Sequence, residues 1–129
     1  MGSIIQIKQK GNFDKLEKTL EYYKTDKSIL PILKKYGERG VEKLSKATPV
    51  ATGKTANSWT YDIIVENGRY TIEFDNSNIV DGVSIAIILQ YGHGTRNGGY
   101  VAGKDYINPA MQQIFEEMAE ELWREVVRA

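Results

Sequence analysis

The feature that most constrains this chain is Asn67-Gly68, set between two runs that alternate apolar and polar residues. On the first run Trp59, Tyr61, Ile63 and Val65 alternate with Thr60, Asp62, Ile64 and Glu66. On the second, Tyr70, Ile72 and Phe74 keep the same period up to Asp75-Asn76. A period of two marks a strand with one face covered. A two-residue Asn-Gly connection marks a tight hairpin, because both turn residues must take positive φ. One hairpin alone is marginal in water, so the rest of the chain must supply elements that cover its apolar face.

Two helices are predicted to do so. Ile29, Leu33, Tyr36, Val41 and Leu44 recur at helical spacing, with Ser28 as N-cap and an end near Ala47. Pro31 falls in the first turn, where it is tolerated. Gly37 and Gly40 lie inside this helix at a cost of up to ~1 kcal/mol each against Ala, which marks close packing or a kink. Asn108 and Pro109 read as the N-cap and first residue of a last helix. Met111, Phe115, Met118, Leu122 and Val126 form its apolar face, with Glu116, Glu117, Glu120, Glu121 and Glu125 opposite. Near the start, Ile4, Ile5 and Ile7 predict a strand over Ser3 to Gln9, broken at Gly11. Asn12 then caps an expected helix carrying Phe13, Leu16, Leu20 and Tyr23. Thr48 to Lys54 reads as a loop, and Asn76-Ser77-Asn78 and Asp81-Gly82 as turns. Val83 to Gln90 reads as a short buried helix, with a strand as the alternative. Gly92, Gly94, Gly98 and Gly99 make the next stretch a loop. At 129 residues one domain is expected over 1–129. Its class is α+β: a small antiparallel sheet with a hairpin near Asn67-Gly68, packed by a long second helix and a C-terminal helix.

Composition removes most chemical functions. There is no Cys, hence no thiolate metal site and no Cys nucleophile, and the single His, His93, excludes a multi-His metal centre. Gly53-Lys54-Thr55 resembles the end of a phosphate-binding loop, but Thr48 stands where that loop needs Gly, and a helix precedes it where a strand is required. Ser45, Ser58, Ser77 and Ser84 have no Gly-x-Ser-x-Gly setting, so His93 lacks a nucleophile to serve. The Glu pairs of the last helix lack the Glu-x-x-His partner of a di-metal bundle and are expected to form a solvated face. No enzyme activity, cofactor, metal or small-molecule substrate is therefore expected. No run reaches the ~18 apolar residues of a membrane helix, and no membrane partner is expected. The N-terminal residues lack the pattern of a signal peptide, and Gln6 breaks a myristoylation pattern. A cytosolic location at synthesis is the expectation.

Charge is more informative than its total. Lys+Arg and Asp+Glu are 17 each, a net of zero, which argues against coating DNA by bulk charge. Residues 1–58 hold 12 Lys+Arg against 6 Asp+Glu, a net of +6; residues 59–129 hold 5 against 11, a net of −6. Such a split suits either complementary halves within one molecule or head-to-tail docking between copies. Lys35, Arg39, Lys43 and Lys46 are spaced four, four and three, forming a basic stripe on the second helix. The stripe is a candidate interaction surface, with a nucleic-acid-binding module as the alternative function. Eight Tyr favour half-buried and interface positions. Tyr91, His93, Arg96 and Tyr100, around the Gly-rich stretch, are the other candidate interaction residues. Gly92 to Gly103 is a candidate for ordering on assembly, given the entropy its glycines lose.

Five segments occur in an order that resembles a phage family. They are Gly37-Glu38-Arg39-Gly40-Val41, Thr48-Pro49-Val50-Ala51-Thr52-Gly53, Asn57-Ser58-Trp59, Gln90-Tyr91-Gly92-His93-Gly94-Thr95 and Ile107-Asn108-Pro109-Ala110. Spanning about residues 13–127, the set resembles the tail-component family of HK-type lambdoid siphophages, the neck or tail-completion proteins. Ala51 departs from the Asp common there, and Ile107-Asn108 from an Arg-Pro-Phe-type segment. The resemblance implies a virion-morphogenesis protein of a phage or prophage, acting in tail completion or head–tail joining. It implies copies arranged in a ring in the tail or neck. The implied partners are the chain itself, head-closure or connector proteins, and tail-terminator or tail-tube proteins, with DNA in the ring lumen as a further neighbour.

Overall fold

The computed structural model describes residues 4–10, 15–21, 29–49, 53–67 and 69–128. In chain order the elements are β1 (Ile4–Lys10), β2 (Lys15–Glu21), α1 (Ile29–Ala47), β3 (Trp59–Glu66), β4 (Arg69–Asn76), β5 (Ile79–Val80), β6 (Val83–Ser84), α2 (Ile85–Tyr91), β7 (Gly92–Gly94), β8 (Tyr100–Ala102) and α3 (Ile107–Arg128). A one-turn 3-10 helix, Ala56–Ser58, leads into β3. The α+β class holds.

The main sheet is four-stranded and antiparallel, ordered β1-β2-β4-β3. The expected hairpin forms, closed by Glu66 opposite Arg69, and Asn67 takes φ 50°. Tyr70, Ile72 and Phe74 are buried, as their alternation requires. The helix expected over residues 12–23 does not form: residues 15–21 are a strand that joins β1 to the sheet. Leu16 and Leu20 are four apart, a spacing compatible with both the helical and the strand period. Partners far along the chain decide between them: the register sets Leu16 opposite Phe74 and Leu20 opposite Tyr70. Asn12, Phe13 and Tyr23 of that expectation, and the Ser28 cap, lie outside the described residues.

Helix α1 covers the sheet through its two glycines. A Cβ on Gly37 would collide with the Tyr61 ring, and one on Gly40 would lie 2.6 Å from the Phe74 ring. Close packing, rather than a kink, explains both residues. Helix α3 packs along α1 and reaches the sheet through Phe115, whose ring centroid is 6.3 Å from that of Phe74. Ile29, Leu33, Leu44, Ile72, Phe74, Met111, Met118 and Leu122 fill the centre. Val83 to Gln90 divides: Val83–Ser84 pairs with Ile79–Val80 across Asp81-Gly82, and the helix begins at Ile85.

Two local expectations change. The glycine-rich stretch read as a loop contains a hairpin, Gly92–Gly94 against Tyr100–Ala102. Gly92 makes it feasible, with φ 84° and no room for a Cβ, which would lie 2.6 Å from the Val101 carbonyl. Helix α3 starts at Ile107, so Asn108 and Pro109 are inside it rather than at its cap and first position. The cap comes from another element: Gln90 Oε1 of α2 accepts the N–H groups of Tyr106 and Ile107, both at 2.9 Å. No local pattern around residue 108 could signal this.

Candidate functional site

The residues singled out from sequence fall into two groups on different elements. The basic stripe lies along α1 and meets the acidic side of α3. Lys35 Nζ donates to Glu121 Oε1, which also accepts the Tyr36 hydroxyl at 2.9 Å. Arg39 pairs with Glu117 at 3.7 Å. Lys35 Nζ and Arg39 Cζ sit 5.0 and 5.3 Å from the Tyr36 ring centroid, within cation–π range. The Lys35 hydrogen bond holds the Glu121 carboxyl below its usual range. Burial, then the Glu121 contact, raises the Tyr36 phenol. Lys46 pairs with Glu42 one turn away, and this hydrogen bond lowers the Glu42 carboxyl. Lys43 is exposed, with no ion pair among the described residues.

The stripe is therefore partly an intramolecular seam. Two of its four cations are answered by α3, which leaves less charge for phosphates. Between the helices lies a groove of about 300 Å³, walled by Arg39, Glu42, Lys43 and Lys46 on one side and Gln113, Ile114 and Glu117 on the other. Its mixed charge suits a protein side chain of either sign.

The second group occupies the β7–β8 hairpin. Tyr100, at 67% exposure, bridges back through its hydroxyl to the Tyr91 carbonyl at 2.9 Å. Tyr91 and Val101 are also exposed. His93 is opposite Val101 in the ladder, and its Nδ1 is buried without a partner among the described residues. Arg96 lies in the exposed turn that Thr95 closes with Gly98 and Gly99. Sequence reasoning missed Ile79, Val80 and Val83 on the neighbouring β5–β6 hairpin, all exposed, and the exposed Trp123 of α3. The β5–β6 signal was present in Asp81-Gly82 flanked by apolar residues, a short hairpin pattern.

The segments that stood out in the sequence hold the fold together. Thr48 Oγ1 donates to the Leu44 carbonyl at 2.6 Å and accepts the Trp59 indole N–H at 2.8 Å. Asn76 Nδ2 donates to the Thr55 carbonyl, Asn78 Nδ2 to Thr55 Oγ1, and Asn76 Oδ1 accepts the Asn78 N–H. Gln90 caps α3 and donates to Asp105, while Tyr106 donates to the Ala86 carbonyl. Val50, Ala51 and Thr52 lie outside the described residues.

Residues 11–92, which carry α1, the polar loop, the β3–β4 hairpin and the Gln-Tyr-Gly turn, match the family model described as "Bacteriophage HK97-gp10, putative tail-component". The chain belongs to this family. The match covers β2 through α2 and ends at Gly92, so the rest of the β7–β8 hairpin and α3 lie beyond it. Comparison with curated proteins and with solved structures finds no match. Membership in the HK97 gp10-like family makes the chain a phage tail component, with the virion as its site of action. Among the described residues no group of three or more His, Asp or Glu could hold a metal ion, and no helix is long and apolar enough to cross a membrane.

Proposed function

We propose that this HK97 gp10-like chain is a structural component of tail completion or head–tail connection. Copies of it form a ring that contacts head-closure or connector proteins on one side and tail-terminator or tail-tube proteins on the other. The observation that carries this reading is the family match over residues 11–92. The surface supports it: the β5–β6 and β7–β8 hairpins expose Ile79, Val80, Val83, Tyr91, Tyr100 and Val101. Exposed apolar and aromatic residues of this kind suit protein contact. Assembly takes place in the host bacterial cytoplasm, and the protein ends in the virion.

Electron microscopy of particles made without the protein tests this. Heads and tails that accumulate unjoined, or tails that lack their upper end, are expected. Complete infectious virions without the protein would overturn the proposal.

A further inference from the structure

Among the described residues the strand order β1-β2-β4-β3 leaves two edges, each paired on one side only. Such edges are templates for pairing with another chain. The geometry points to a specific use: β3 of one copy adds to β1 of the next, joining the sheets of successive copies head to tail. This rests on the ring reading above and names its interface.

Direction comes first. In an antiparallel sheet of four strands the two edge strands run in opposite directions. Rotating a copy about an axis along the strands preserves each strand's direction, so β3 meets the next β1 antiparallel. The junction is a heterologous contact, which rotation can close into a ring.

Face comes next. The pairings place Tyr61, Phe74, Leu16 and Gln9 in one row, Ile63, Ile72, Lys18 and Ile7 in the next, and Val65, Tyr70, Leu20 and Ile5 in the third. These rows lie on the face that α1 covers at Tyr61 and Phe74. A junction must keep that face in phase, because a one-residue slip exchanges the faces. Setting Ile7 opposite Ile63 does so, and it places Ile5 opposite Val65. Val65 is 49% exposed in the single copy.

Charge then selects partners. Strand β1 carries Lys8 and Lys10 and no acid, while β3 carries Asp62 and Glu66 and no base. In the same register Lys8 falls opposite Asp62. Pairing β1 with β1, or β3 with β3, would set like charges together, which disfavours a symmetric dimer. Asp62 also occupies this edge in the single copy, its Oδ1 accepting the Ile63 N–H at 2.9 Å. An incoming strand replaces that contact with a backbone carbonyl and leaves the carboxylate to the lysine.

The absence of Cys makes the test clean. A chain carrying both Lys8→Cys and Asp62→Cys is oxidised mildly and run without reductant. A ladder of covalent multimers is expected, and each single variant should give none. Lys8→Glu should lower association by about tenfold or more, and Asp62→Lys in the same chain should restore it; circular dichroism confirms that each variant folds. A ring seen by native mass spectrometry with no ladder and no charge rescue overturns the edge junction and leaves the ring standing. A dimer formed by one single variant as readily as by the double variant also overturns it, in favour of symmetric pairing. A chain that stays monomeric at high concentration and gives no ladder overturns both.

Discussion

Thr48 accepts the Trp59 indole N–H in a buried position and donates to the last turn of α1. Thr48→Val keeps the shape and removes both bonds, leaving a buried donor unpaired. The expected loss is about 1–3 kcal/mol, read as a lower urea midpoint with an unchanged slope, and Thr48→Ser should recover most of it. Gly40→Ala tests the packing of α1 on the sheet and on α3. Its Cβ would lie 2.6 Å from the Phe74 ring and 3.1 Å from Met111 Cε. Overpacking of this kind costs about 1–3 kcal/mol, the reverse of the gain that Ala brings to an open helix site. The sequence carried the sign of that packing, since two glycines inside an apolar helix need a reason. It did not carry the Thr48–Trp59 bond, because nothing in a Thr-Pro loop says which distant donor it meets. Tyr106 adds a pH signature. Burial pushes its phenol up to about 12, so the folded state holds the proton more tightly than the unfolded chain. That stability is full below the ordinary value near 10 and is lost as pH rises through about 12. Tyr106→Phe should flatten the fall of stability across this window, measured by urea unfolding from pH 9 to 12.

At the level of elements, α1, the β3–β4 hairpin and α3 were legible because each carries its own signal: a sustained period, or a turn dipeptide with strict backbone demands. Strand β2 was not. Its two leucines satisfy both periods, and its neighbours in the sheet, β1 and β4, lie on either side of it in the chain, one of them beyond α1. The start of α3 was displaced for a related reason. Its first amides are met by Gln90, sixteen and seventeen residues earlier, so the cap belongs to tertiary structure. Gln90→Met keeps the volume and removes the carboxamide. The first turn of α3 should then fray, with faster hydrogen exchange at Tyr106 and Ile107 and a loss of about 1–2 kcal/mol, in the range of a lost N-cap. Exchange in the middle of α3 should not change by more than the global loss.

The whole molecule has no net charge, but its two signs are used in different places. Part of the basic excess of residues 1–58 is met by α3, through Lys35–Glu121 and Arg39–Glu117. That part belongs to folding. On β1, Lys8 is opposite Glu17 of β2 and, in the proposed junction, would have Asp62 of a neighbour's β3 on its other side. The two uses separate experimentally. Lys35→Glu sets like charges beside Glu121 and should lower the monomer's unfolding midpoint, by about 0.2–1 kcal/mol given the exposure of the pair. Glu121→Lys in the same chain should restore part of it. Acid gives the same information with a definite sign. The Glu121 carboxyl is lowered in the fold, so its contribution is present above the unfolded value near 4.3 and is lost as pH falls through the folded value. Lys35→Met should remove the largest share of that acid-sensitive part, the Tyr36 hydrogen bond and Arg124 holding the remainder. Lys8→Glu sets like charges opposite Glu17 of β2 and should cost the single copy only about 0.2–1 kcal/mol, while weakening association about tenfold. If Lys35→Glu instead weakened association and left the midpoint alone, the basic stripe of α1 would be an intermolecular surface, and the division of charge argued from the α1–α3 pairs would be wrong.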